Sequence, residues 1–239
     1  MFFHGKATFC VKLSVRVLTF RYICLLAFLL GVYSSSAHAD PPPVLSTVVS
    51  NIERRYNSLA TLVVSFEQHI NFGARPAIHE AGTLYLQRPS RMRWDYTKPF
   101  GKLLIADGET MQMYNPRTNQ VRHLKFSATA DFRAPLSFLL GRLRLRRQFR
   151  NLRLAKRQEQ TVLLGDGRTG KEVYRAVEFS YDASDYRLLR LELHGHDQSI
   201  TTFEFSDEKV NTSLRAALFV FDAPPGAEIL KGVFVENSR

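Results

Sequence analysis

Three stretches of this sequence hold residue types that do chemistry. Gly165-Asp166-Gly167-Arg168-Thr169-Gly170-Lys171 has the spacing of a phosphate-binding loop, in which backbone N–H groups and a lysine cradle an anion. Glu172 stands where such a loop needs a Ser or Thr hydroxyl for Mg²⁺, and the stretch lies between two strand patterns, whereas the anion site needs a following helix N-terminus. A hairpin turn is expected there. His194-Gly195-His196 offers two imidazoles on one strand face, but no third ligand follows at a familiar spacing, and a metal centre needs at least three placed donors. An exposed turn is the expectation. Arg142, Arg144, Arg146, Arg147, Arg150, Arg153, Lys156 and Arg157 place eight basic residues within sixteen positions. Such density suits phosphates, anionic lipid headgroups or an acidic partner, unless it is simply a solvated face. No G-x-S-x-G, no H-E-x-x-H and no supported carboxylate pair occurs, so the sequence argues against an enzyme and implies no cofactor and no metal.

The chain that must position these groups has 239 residues, 45% of them apolar, with 33 Lys+Arg against 22 Asp+Glu, a formal charge of +11 and two cysteines, Cys10 and Cys24. Disordered tails, disulfide-stapled miniproteins and polytopic membrane proteins have other compositions. Lys6, Lys12, Arg16 and Arg21 precede an apolar run from Tyr22 to Val32, and Ala37-His38-Ala39 ends a small-residue stretch, which together read as a secretory signal cleaved after Ala39. The apolar run is about a dozen residues, short of the ~20 that span a bilayer. Cys24 lies inside that run with Arg21-Tyr22-Ile23 before it, so a lipid anchor is not expected. Removing residues 1–39 of the 239 leaves 200, without cysteine; four basic residues and no acid are lost, so the charge falls from +11 to +7. Export to the periplasm also argues against nucleic acid as the partner of the basic segment. The remaining residues, 40–239, read as one domain, expected to act as a monomer and held by burial alone.

Val44, Leu45, Val48, Ile52, Tyr56 and Leu59 recur at helical spacing, which predicts an amphipathic helix from Pro43 to Ser58. The period then changes to two. Leu62, Val64, Phe66 and Ile70 alternate with Val63, Ser65, Glu67 and His69, and strands follow at about Gly82–Gln87, Arg91–Tyr96, Lys102–Ala106, Thr110–Tyr114 and Gln120–Leu124. Asp131–Leu145 has helical spacing through Phe132, Leu136, Leu139, Leu140 and Leu143. Further strands are expected at Phe149–Ala155, Thr161–Leu164, Val173–Tyr181, Arg187–His194, Ser199–Phe205 and Leu218–Phe221. A mainly β protein with a few helices follows, one large antiparallel sheet that curls or is covered by its helices.

Within that sheet the strand Arg91–Tyr96 turns Arg91, Arg93 and Asp95 to one face and Met92, Trp94 and Tyr96 to the other. Leu84 with Leu86, Leu104 with Ala106, and Met111 with Met113 share faces in the neighbouring strands. Ordinary core packing and a cavity for irregular apolar ligands both fit this pattern, because Met and aromatic side chains fill either.

The run from Gly82-Thr83-Leu84 through Arg88-Pro89-Ser90-Arg91-Met92-Arg93-Trp94-Asp95-Tyr96, then Pro99, Leu103-Leu104-Ile105-Ala106-Asp107-Gly108 and Tyr114-Asn115-Pro116, resembles the outer-membrane lipoprotein carrier family, LolA. The resemblance extends upstream to Ser65-Phe66-Glu67-Gln68 and downstream to Phe219–Gly226, and Arg142–Thr169 falls outside it. It implies an unclosed antiparallel β-barrel, a curved sheet lidded by α-helices around an apolar cavity, without catalysis. It also implies acylated lipoproteins as cargo, an inner-membrane ABC transporter as donor and an outer-membrane lipoprotein as acceptor. Residue by residue, Arg88 takes the family's lid-latch position, and Phe66, Leu84, Leu86, Met92, Trp94, Leu104, Met113 and Phe138 are the expected cavity wall. Arg142, Arg144, Arg146 and Arg147 are the candidate partner or headgroup contacts. Carriage of another lipid beside a membrane exporter, and a lipid- or protein-sensing regulatory role, remain open alternatives.

Overall fold

Helix α1 (Leu45–Asn57) forms because Val48, Val49, Ile52 and Tyr56 fall on one face and are buried there. Arg54 and Arg55 in its last turn complement the negative end of the helix dipole, and Ser58 Oγ donates to the Arg55 carbonyl at 2.7 Å. The computed structural model describes residues 44–125, 143–170, 172 and 174–231.

Six strands follow α1: β1 (Thr61–Asn71), β2 (Ile78–Gln87), β3 (Arg91–Lys98), β4 (Leu103–Ala106), β5 (Thr110–Asn115) and β6 (Gln120–Lys125). A helical turn, α2 (Leu145–Gln148), leads into β7 (Phe149–Arg157), β8 (Gln160–Gly167), β9 (Tyr174–Tyr181), β10 (Leu188–Gly195) and β11 (Ile200–Val210). A 3₁₀ turn (Ala216–Phe219) and β12 (Glu228–Lys231) close the described chain. The strands make one sheet in the order β12-β6-β5-β4-β3-β2-β1-β11-β10-β9-β8-β7, and its end strands are not paired with each other. Twelve twisted strands exceed the ~10 that stay open without curling, so the sheet bends around one face and remains an unclosed barrel. Buried side chains from α1 and from every strand between β1 and β11, with β7 represented by Phe149, join a single hydrophobic cluster; β12 supplies none.

Two expectations need correction. Leu218–Phe221 is not a strand: Ala216–Phe219 winds into a 3₁₀ turn whose Leu218 carbonyl accepts a hydrogen bond from Arg93 Nη1 at 3.0 Å, and whose Phe219 is buried. The twelfth strand is instead Glu228–Lys231, and it pairs parallel with β6, so the sheet is antiparallel everywhere except at this edge. Four residues with three exposed positions give alternation nothing to read. Of the helix expected over Asp131–Leu145, residues 131–142 lie outside the described residues. The described end is tied to α1: Leu143 N donates to Asn57 Oδ1 at 2.7 Å, Asn57 Nδ2 returns a bond to the Leu143 carbonyl at 3.0 Å, and Leu145 N donates to Glu53 Oε1 at 2.7 Å.

Gly82 sits where the β2–β3 register shifts between Ala81 and Gly82, and a Cβ there would lie 2.0 Å from the backbone oxygen of Asp95. The bulge brings two backbones closer than any side chain allows. Gly82→Ala is expected to cost about 1–3 kcal/mol, read as a lower urea midpoint at unchanged slope; an unchanged midpoint would show that the two strands separate freely.

Candidate functional site

Register builds one continuous apolar surface from residues far apart in sequence. Leu62, Leu86, Met92, Ala106, Met111 and Leu124 lie opposite one another in succession across β1 to β6. A second row runs Val64, Leu84, Trp94, Leu104, Met113. Beside it Phe66 faces Gly82, which faces Tyr96. That ring meets Trp94 edge-on with centroids 4.6 Å apart and Tyr96 at 5.3 Å, spacings at which aromatic pairs attract beyond the area they bury.

Phe66, Leu84, Leu86, Met92, Trp94 and Leu104 are all buried in the one cluster, and Met113 packs against it partly buried. Phe138 and Arg142 lie outside the described residues. Trp94 Nε1 is sealed from solvent with no hydrogen-bond partner among the described residues, a donor left unmatched in an apolar wall.

Arg88 follows β2 at the turn into β3. Its Nη2 donates to the carbonyl of Tyr56 at 2.6 Å, and its backbone N–H to the Ala60 carbonyl at 3.0 Å. The Tyr56 carbonyl belongs to the last turn of α1, where unpaired carbonyls concentrate negative partial charge, so a guanidinium there is favourably placed. Burial lowers the pKa of Arg88.

Tyr56 is held at its other end as well, a link that helical periodicity marks only as core. Its hydroxyl accepts from Leu188 N at 2.8 Å and donates to Glu208 Oε2 at 3.1 Å, while Arg55 pairs with Glu208 and, at 3.2 Å, with Asp185. Burial, then the Glu208 carboxylate, pushes the Tyr56 pKa well above the ordinary phenol value. Burial and nearby Glu172 push Tyr174 up to about 12. A phenol whose folded pKa is raised adds stability fully present below its unfolded value of about 10 and lost as pH climbs toward the folded value. Stability is therefore expected to fall between about pH 10 and pH 12, with a shallower slope in Tyr174→Phe; identical alkaline denaturation curves would contradict this.

Arg144, Arg146 and Arg147 are exposed and have no acidic partner among the described residues. The basic residues beyond them are engaged in part: Arg150 donates to the Gly167 carbonyl at 3.0 Å, Arg153 lies 3.5 Å from Asp166 and Arg157 3.1 Å from Glu178. The glycine-rich stretch spans the end of β8 and the turn toward β9, as a hairpin should. Glu172 fills its backbone cradle, accepting from Thr169 N at 3.0 Å and Arg168 N at 3.2 Å. Desolvation opposes its charge, but the N–H donors win and hold the Glu172 carboxyl below its ordinary range. His194 pairs with Glu192 at 3.0 Å within β10, and His196 lies beyond the strand end against the Glu172 carbonyl at 3.1 Å.

The class defined by this architecture is an open, curved half-barrel whose strands share one apolar face, with a helix docked on that face and an arginine at the helix end. The family model described as outer membrane lipoprotein carrier protein LolA matches residues 57–222. The chain belongs to the LolA family of outer-membrane lipoprotein carriers. It is 25% identical over 191 residues to the outer-membrane lipoprotein carrier protein of Chromobacterium violaceum, covering 80% of this chain and 90% of that one. It is 26% identical over 221 residues to that of Nitrosospira multiformis, covering 92% and 99%. An uncharacterized conserved protein from Thermus thermophilus shares the fold at TM-score 0.51 and 15% identity, covering 78% of this chain and 98% of that one. Among the described residues no helix is long and apolar enough to cross a membrane.

Proposed function

We propose that this protein is a periplasmic carrier that takes acyl chains of lipoproteins between the wall of β1–β6 and its helical cover, moving them from an inner-membrane releasing complex to the outer membrane. The signal segment is removed after Ala39 and residues 40–239 work as one monomeric domain. The observation that carries the reading is the unbroken apolar register from Leu62 to Leu124 across six strands and from Val64 to Met113 across five, under a docked helix. An acyl chain of ~15 methylenes gains roughly 12 kcal/mol on leaving water, at ~0.8 kcal/mol per CH₂. A carrier must replace most of that and still release the chain. Two features support this balance. The ester or amide carbonyl of an acylated cargo would satisfy Trp94 Nε1, and the Arg88–Tyr56 hydrogen bond adds an opening cost that lowers net affinity.

Arg144, Arg146 and Arg147 suit an acidic partner or a headgroup surface, and nothing in the fold directs them to nucleic acid. The deciding experiment is mass spectrometry of whatever co-purifies with the protein from periplasm. Acylated lipoprotein supports the reading, a different lipid replaces the cargo with that lipid, and a protein recovered without acyl-containing molecules after gentle extraction overturns it.

A further inference from the structure

We propose that Glu67, His69 and His79 form a binding site for one divalent transition-metal ion, Zn²⁺ or Cu²⁺, on the sheet face opposite the apolar wall. Strand alternation turns Glu67 and His69 away from buried Phe66, and the antiparallel register sets His69 directly opposite His79. The two imidazoles stack, centroids 4.2 Å apart and planes 14° from parallel. Glu67 Oε2 lies 3.3 Å from His79 Nε2 and 3.8 Å from His69 Nε2, and all three donor atoms fall within 4.8 Å of one another. Donors at 2.0–2.1 Å from a tetrahedral ion stand about 3.3 Å apart, so small side-chain rotations complete the geometry. A second observation points the same way. His79 Nε2, 3.3 Å from Glu67 Oε2, is sealed from solvent and has no hydrogen-bond partner among the described residues. Two imidazoles and one carboxylate are the ligand set of an ion that keeps a fourth position for water, and imidazole favours zinc and copper over the harder cations.

Lys98 competes with the ion. Its ammonium donates to His79 Nδ1 at 2.8 Å, which leaves the proton of the neutral ring on Nε2, the atom the ion needs. Binding therefore requires the proton to move to Nδ1 and exposed Lys98 to swing into solvent. The bound ion would tie β1 to β2 near the loop that joins them, residues 72–77.

The test is calorimetric titration of the tag-free mature protein with ZnCl₂ and with CuCl₂. One ion per chain is expected, with affinity reduced at least about tenfold in His79→Ala, His69→Ala and Glu67→Gln, as losing a ligand costs no less than losing its supporting partner. Lys98→Ala should bind severalfold more tightly, and His194→Ala, in the same sheet but outside the cluster, should match the unmodified protein. Glu67→Gln keeps the side-chain shape, so its lost affinity cannot be assigned to misfolding, and melting in chelator checks the histidine variants. Absence of saturable binding at submillimolar ion, or affinity unchanged in Glu67→Gln and His79→Ala together, overturns the proposal.

Discussion

Arg88→Leu is expected to load cargo normally and deliver it poorly, with release to the acceptor membrane slowed by about ten- to a hundredfold. The proposed latch is the guanidinium bond with the Tyr56 carbonyl. Hydrogen bonds to charged groups contribute about 1.5–3 kcal/mol. In the carrier role proposed above, an acyl chain must break that bond to enter, so the cost is subtracted from its net affinity. Leucine removes the donor, the empty closed state loses its advantage, and the cargo is held more tightly by roughly the same factor. The other tether of α1, through the Tyr56 hydroxyl to Leu188 and Glu208, is untouched, so the helix end stays in place and the variant folds. A two-membrane transfer assay separates loading from delivery. Transfer at the unmodified rate would remove Arg88 from the mechanism, while a failure to load would assign it to the binding wall instead.

The alternation of Met92, Trp94 and Tyr96 with Arg91, Arg93 and Asp95 made the inner face of β3 readable from sequence, because a half-buried strand writes its orientation every second residue. The helical spacing of Val48, Ile52 and Tyr56 did the same for α1. What alternation cannot supply is which strand lies beside which. The parallel pairing of Glu228–Lys231 with β6 joins segments about a hundred residues apart through four residues, and no local pattern marks it. The Tyr56 hydroxyl reaches Leu188 and Glu208 only because β10 and β11 return to the helix end, and His79 meets His69 only through the β1–β2 register. Such contacts belong to topology. Arg88 is intermediate: a residue before a turn proline reads locally as solvated, and only the resemblance singled it out, whereas the fold brings it to a helix carbonyl.

Phe66→Ala should be the most damaging single change in the wall, lowering the urea midpoint by about 1.5–2.5 M. Removal of a buried phenylalanine costs about 3–5 kcal/mol, and urea slopes for domains of this kind are near 2 kcal/mol/M. The site argues for the upper part of that range. Phe66 is 2% exposed and touches both Trp94 and Tyr96. It also stands opposite Gly82, which has no side chain to move into the vacated space, and whose backbone is already pressed against Asp95. The wall therefore cannot collapse to fill the void, and the cavity term persists. Phe100→Ala is the matched control. Phe100 is 88% exposed in the β3–β4 connection, so its loss should change stability by no more than about 0.5 kcal/mol. Equal midpoints for the two variants would mean that the ring at Phe66 is no part of a tightly packed wall. A large loss for Phe66→Ala with unaltered acyl-chain binding would separate the packing role of this residue from the carrier role proposed for the face it occupies.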